Sequence, residues 1–219
     1  RSYSLPKWYA QDDAVLEAAL SDRQARRDFI GIDLAIESVP DATTLLRFRH
    51  LLEQHALTQR IFEEINAHLA EQGLFMREGT IVDATIVAAA PSTRNKARQR
   101  DPEMKQTRKG KQYYFGMKAH IGVDAVTGLT HSVAATSANV ADVTMAGALV
   151  REDDKRVYGD AGYTGMWKYL DEEKDAPDSR CCVAAKRGPI KKMEDSPMKR
   201  LLLAIEKAKA SIRAKVEHP

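Results

Sequence analysis

No run of apolar residues approaches the roughly 18 that a membrane-crossing helix needs, and the N-terminus lacks the basic-then-apolar layout of a signal peptide. A soluble, intracellular protein is expected. Cysteine is nearly absent. Its two copies, Cys181 and Cys182, are neighbours that cannot close an ordinary disulfide loop with each other and lack the CxxC spacing of a zinc site. They are read as reduced, buried and structural. A strong net charge is missing too, at +3 over 219 residues. What is present is an ordinary globular balance, 43% hydrophobic and 30% charged, which excludes intrinsic disorder. The length suits one sizeable core with a smaller appendage. Arg1 opens the chain and Pro219 closes it inside a predicted helix, so a fragment of a longer reading frame is expected.

The small net charge conceals a division along the chain. Residues 1–80 carry 9 basic and 13 acidic side chains, residues 94–118 carry 9 and 2, and residues 186–215 carry 10 and 3. Two basic segments on a balanced chain suggest a polyanion partner, because each Lys or Arg beside a phosphate releases a condensed counterion. A solvated surface would have the same composition.

Residues 1–78 read as a helical region. An Asx cap at Asp41 precedes Leu45, Leu46, Phe48, Leu51 and Leu52 at helical spacing; Leu57 to Gln72 continues the pattern and Gly73 stops it. Weaker patterns span Asp12 to Leu20 and Ser21 to Phe29. Packing alone accounts for such helices, and a DNA-binding or assembly role is the other reading. From Gly79 the period becomes two. Thr80 to Val87 is rich in β-branched residues. Tyr114 to Asp124 alternates, with Phe115, Met117, Ala119, Ile121 and Val123 on one face and Tyr114, Gly116, Lys118, His120 and Gly122 on the other. Gly128 turns the chain into Leu129 to Thr136, completing a hairpin. A helix over Asn139 to Val150, a strand at Arg156 to Tyr158, a helix near Met166 to Glu173, a strand at Cys182 to Ala185 and a helix from Pro197 follow. This order predicts an α/β fold over residues 79–219, a mixed sheet with helices on its faces. Pro91 to Gln112 has no apolar period and is read as a basic loop.

An aspartate within the strand GTIVDATIV is costly to bury alone, so Asp83 needs a metal ion, an arginine or a solvated sheet end. Asp160 ends RVYGD, at a strand's C-terminal end where glycines let a substrate approach; capping its own turn is the alternative. If the two strands are neighbours, both carboxylates can share a hard cation, and a glutamate from a covering helix completes an oxygen-rich site for two ions. Asp124 and Asp142 compete for that third place, although a turn and a helix cap suffice to explain them.

GTIVDATIVAAAPS, RDPEMKQTRKGKQYYFGMKAHIGVDAVTGLTHSV, SANVADVT, VYGDAGYTG, AAKRGP and IRAKVEHP resemble bacterial transposases of the insertion sequence 5 group. The resemblance covers residues 79–219 in long consecutive strings, and the front half far less distinctively. It implies an RNase H-like catalytic domain whose acidic triad falls on Asp83, Asp160 and Glu217, holding two magnesium or manganese ions. The expected activity is metal-dependent cleavage and strand transfer of double-stranded DNA at the element ends and target, by a homo-oligomer assembled on DNA in the bacterial cytoplasm, with the nucleoid. The family's last-helix arginine falls on Arg213, four residues before Glu217 and therefore on the same face. Its tyrosine position holds Ala210, its lysine would lie beyond Pro219, and Ala141 stands where many members have histidine. Arg213 and Lys118 suit developing phosphate charge, His120 shares Lys118's strand face and could contact DNA, and Arg108, Lys109 and Lys111 belong to the loop expected to grip the backbone. An inactive DNA-binding remnant, with Glu217 at a frayed end, and a nuclease limited to hydrolysis are the rival readings.

Overall fold

The computed structural model describes residues 4–5, 9, 11–91, 93, 99–170 and 180–217, the side chains of Arg187 and Glu217 excepted. The chain divides into two compact units, Arg1–His68 and Leu69–Pro219. The first is helical: α1 (Asp13–Asp22), α2 (Gln24–Ile30), α3 (Ala42–Gln54) and the greater part of α4 (Leu57–Glu71). Asp12 and Asp41 cap α1 and α3 by accepting the N–H of Val15 and Thr44. Leu5, Leu16, Leu20 and Leu45 form its core. Among the described residues no helix is long and apolar enough to cross a membrane.

The second unit is built on β1 (Thr80–Ala88), β2 (Lys105–Lys109), β3 (Gln112–Asp124), β4 (Thr130–Ser137), β5 (Val157–Gly159) and β6 (Cys181–Val183). Residues 117–123 of β3 pair antiparallel with both β1 and β4, so β3 lies between them. β5 adds to β1 in parallel and β6 to β5 in parallel. The order β4–β3–β1–β5–β6, with helices on the sheet, is the mixed α/β fold expected of an RNase H-like domain. The region read as a basic loop contains β2, which pairs with β3 through a turn at Gly110. Its residues 94–98, with Arg94, Lys96 and Arg98, lie outside the described residues.

Both sheet faces are covered. On one, Val82 and Val157 pack with Ala146 and Leu149 of α5 (Ala146–Leu149) and with Tyr163 and Met166. On the other, Ile81, Val123 and Tyr158 pack with Ile212 of α8 (Pro197–Arg213) and with Val216; the short α6 (Trp167–Leu170) and α7 (Arg187–Lys192) complete the helical order. The expected helix over 139–150 is a 3-10 turn at Asp142–Met145 followed by one turn of α5. The β3 face carrying Lys118 and His120 is the more buried one, opposite to its polar composition. Its glycines explain this: a Cβ on Gly122 would collide with the carbonyl oxygen of Leu149, so only glycine lets α5 lie so close. Cys181 and Cys182 are free thiols, half-buried, facing opposite clusters.

A buried polar network closes the sheet at the start of β1. Asp124 accepts from the N–H groups of Val126 (3.0 Å), Thr127 (3.1 Å) and Met76 (3.0 Å) and from Arg151 (3.2 Å). Arg151 also binds Asp154 at 2.8 Å. Thr80 donates to Asp154, which leaves His131 to donate through Nε2 to Thr80 Oγ1 at 2.9 Å and to accept Ser132 through Nδ1. This network assigns a neutral imidazole. Replacing Arg151 with alanine strands two carboxylates with no more than 2% of their surfaces exposed, and a loss of about 3–5 kcal/mol in urea unfolding is expected.

Burial, with Arg151's charge adding to it and Asp154 and Asp124 opposing, pushes His131 from 6.5 down to about 4. As pH falls through 6.5 the unfolded chain takes up the proton first, so the stabilisation is complete above 6.5 and drains away towards about 4. Urea unfolding at pH 7.5 and pH 5 is therefore expected to show a stability decline that His131→Gln makes shallower. His120, also held down by burial, contributes a remaining slope of the same sign.

Candidate active site

Asp83 and Asp160 are brought together by strand register. The parallel pairs Thr80 with Val157 and Ile81 with Tyr158, carried two residues further along both strands, set Asp83 beside Asp160. Asp160 is itself extended, at φ −76° and ψ −178°. The two-residue period puts both on the face of Ile81 and Tyr158, beneath the C-terminal segment. β5 ends at Gly159, so beyond Ile81 the β1 edge away from β3 has no strand partner among the described residues. A cleft of about 350 Å³ opens there, holding Asp83, Asp142, Asp160, Lys118 and Tyr163, with β2 contributing Thr107, Arg108 and Lys109.

The acids differ in their surroundings. Burial raises the Asp83 carboxyl above the usual carboxylate range and the charge of Asp160 adds to this; the Ala84 N–H, Arg213 and Lys109 act the other way. Asp160 Oδ1 accepts the Gly162 N–H at 2.8 Å, capping the 3-10 turn Ala161–Tyr163, so the turn role and the cleft position coexist. Asp142 is no helix cap: Ala141 holds that position and its side chain makes no capping bond. Its Oδ1 takes the Lys118 ammonium at 2.7 Å, and Val140 O takes it at 2.7 Å.

Residues 74–219, two thirds of the chain, match the family model for the transposase DDE domain. The chain belongs to the DDE transposase family. No solved structure matches it. The transposase assignment makes DNA the partner and divalent ions the usual cofactor. Among the described residues, no three Asp, Glu, His or Cys side chains gather closely enough to hold a metal ion. The donor chemistry nevertheless fits one: Asp83 and Asp160 are adjacent carboxylates of the hard-oxygen kind that such ions take, Asp142 is tied to Lys118, and the side chain of Glu217 lies outside the described residues.

Other predicted contacts separate in this transposase. His120, expected on an open strand face, has no exposed surface; its Nε2 meets Thr136 Oγ1 at 2.8 Å, and α5 covers its face. Arg213 acts electrostatically on Asp83, and its buried Nε has no hydrogen-bond partner. α8 ends at Arg213 and a 3-10 turn, Ala214–Glu217, follows, so the α-helical argument for a shared Arg213–Glu217 face no longer holds. Val216 is buried, and Lys215 donates to Ala125 O at 2.8 Å; the end at Glu217 expected to fray lies at the limit of the described residues. Arg108 stacks on Tyr113 at 5.6 Å, and Arg108, Lys109 and Lys111 are exposed. Sequence reasoning missed Tyr163, which is 1% exposed with an unpartnered hydroxyl. Burial first, then Asp142, Asp83 and Asp160, push its pKa up and keep it protonated. Its place in GDAGYTG, three residues after Asp160, was the available signal.

A Cβ on Gly162 would lie 2.9 Å from Asp160 Oδ1 and 3.7 Å from Asp142 Oδ2. Gly162→Ala should turn the Asp160 carboxylate aside, weakening Mn²⁺ binding by about tenfold while changing unfolding stability by less than about 1 kcal/mol. Calorimetric titration and urea unfolding measure the two, and unchanged Mn²⁺ affinity would separate Asp160 from ion binding.

Proposed function

We propose that this chain is the catalytic part of an insertion sequence 5 group transposase that cuts DNA at an element's end and joins that end to a target. The reading rests on one observation above others: two carboxylates on neighbouring strands, in a cleft edged with cations, within a chain of the DDE family. Asp83 and Asp160 are the metal ligands, with Glu217 as the third acid. When bound, two magnesium or manganese ions activate the attacking oxygen and offset charge on the leaving one.

In the first step a water oxygen attacks phosphorus and the bond to the 3′-oxygen breaks, freeing a 3′-hydroxyl. In the second, that hydroxyl loses its proton and attacks a phosphorus of the target strand, whose own bond to a 3′-oxygen breaks and leaves a free 3′-hydroxyl on the target. Both steps put negative charge on phosphate oxygens, which Lys118 and Arg213 offset from fixed positions. Arg108, Lys109 and Lys111 hold the backbone without reading bases, the exposed edge of β2 and its turn suiting this role. Residues 1–78 serve DNA binding or assembly of copies on DNA, outside the catalytic domain of 79–219.

Supercoiled DNA carrying the element's ends, incubated with Mg²⁺ or Mn²⁺, tests the chemistry, and a pre-cut end tests transfer separately. Asp83→Ala and Asp160→Ala are each expected to lower cleavage at least about a thousandfold, roughly 4 kcal/mol of barrier. Undiminished cleavage would sink the site, and cleavage without joining would leave a nuclease. Neutralising Lys109 or Lys111 should reduce the log–log salt slope of DNA binding by about 1 per lost phosphate contact.

A further inference from the structure

The cleft contains a difficulty for any site built on paired carboxylates. A lysine ammonium on a flexible stem, close to two acids in a partly buried cleft, is drawn to them and would occupy the place of a divalent cation. Lys118 stands on the sheet face opposite to Asp83 but lines the same cleft as Asp83 and Asp160, with only 9% of its surface exposed. Its Nζ bonds elsewhere, to Asp142 Oδ1 and Val140 O, each at 2.7 Å.

We propose that Asp142 is a positioning residue of this site, a decoy partner that holds the Lys118 ammonium off Asp83 and Asp160 and so leaves those carboxylates to a divalent cation. Three observations carry the inference, which rests on the metal-ligand reading of Asp83 and Asp160. Asp142 begins a 3-10 turn without capping it, so its carboxylate is free to take a partner outside that turn. Its Oδ2 faces Gly162, whose missing Cβ would stand between Asp142 and Asp160. The Tyr163 hydroxyl, buried in the same cleft, has no partner, so the polar groups there do not satisfy one another as a closed network would. The pair has a second effect: an ammonium held at two points stays in the cleft wall, where phosphate charge develops.

Mn²⁺ binding to the full 219-residue chain without DNA, followed by loss of the free-ion EPR signal, tests this directly. Asp142→Asn is expected to weaken binding about tenfold or more as Lys118 turns to Asp83 or Asp160. Adding Lys118→Met to that variant removes the competing cation, keeps the pair's net charge at zero as in the parent, and is expected to return affinity to within about threefold of it. Unchanged affinity in Asp142→Asn overturns the proposal, as does a double variant as weak as the single one, since loss would then follow from Asp142's own charge or from misfolding. Asp83→Asn separates the two levels: if it abolishes Mn²⁺ binding while Asp142→Asn changes nothing, only the decoy role fails. If the parent binds no Mn²⁺, or Asp83→Asn binds as the parent does, the ligand reading fails with it.

Discussion

The geometry of this domain depends on a very short parallel pairing. Only Thr80 and Ile81 of β1 meet β5, through Val157 and Tyr158. Two residue pairs fix the register, and the register decides that Asp83 and Asp160 become neighbours on one face. Because β5 stops at Gly159, the same pairing leaves the cleft beside β1. A slip of one residue would turn either aspartate to the opposite face. Val82 and Val157 in one cluster, and Ile81 and Tyr158 in the other, resist such a slip, since both faces are packed. Hydrophobic burial thus holds two carboxylates together that repel each other when unliganded.

Asp124, opposite the start of β1, and Asp83, within that strand, show how far context separates one residue type from itself. At Asp124, burial acts to raise the carboxyl but is outweighed by the N–H groups of Thr127 and Val126 and by Arg151, and the pKa falls. At Asp83, three residues along β1 from that strand's first pair with Asp124, burial wins and the pKa rises. Asp124 is neutralised within the protein and contributes stability. At Asp83 the Ala84 N–H, Arg213 and Lys109 do not outweigh burial, while Lys118 is bonded to Asp142.

Much of the fold is legible along the chain because period and turn chemistry are local properties. The β-branched run around Asp83, the alternation before Asp124 and the turn at Gly128 each mark an element that forms. Asp83 stands out for being charged within an apolar strand, and Asp160 for its place between glycines. What is not legible is tertiary. KQTRK forms β2 without any apolar alternation, because backbone pairing with β3 needs none. The glycines of β3 invert its apparent buried face by admitting another backbone, which composition alone does not reveal. Asp142 looks like a helix cap until Lys118, 24 residues away in sequence, is seen to claim it. At the C-terminal end, α8 passes into a 3-10 turn where Val216 packs against Ile81, Val123 and Tyr158 and Lys215 bonds the hairpin turn at Ala125.

The open edge of β1 has a further consequence. A strand edge that has no strand partner among the described residues, as β1 has beyond Ile81, is a template on which another extended chain can add itself, the usual beginning of edge-to-edge aggregation. Val87, near the end of this edge, is more than half exposed and offers apolar surface to such an intruder. The carboxylates at its inner end, one on the strand and one just beyond its neighbour, make that approach costly, because an added strand would have to bury their charge. The two acids thereby also act as gatekeepers of solubility, and replacing them with apolar residues would remove that guard.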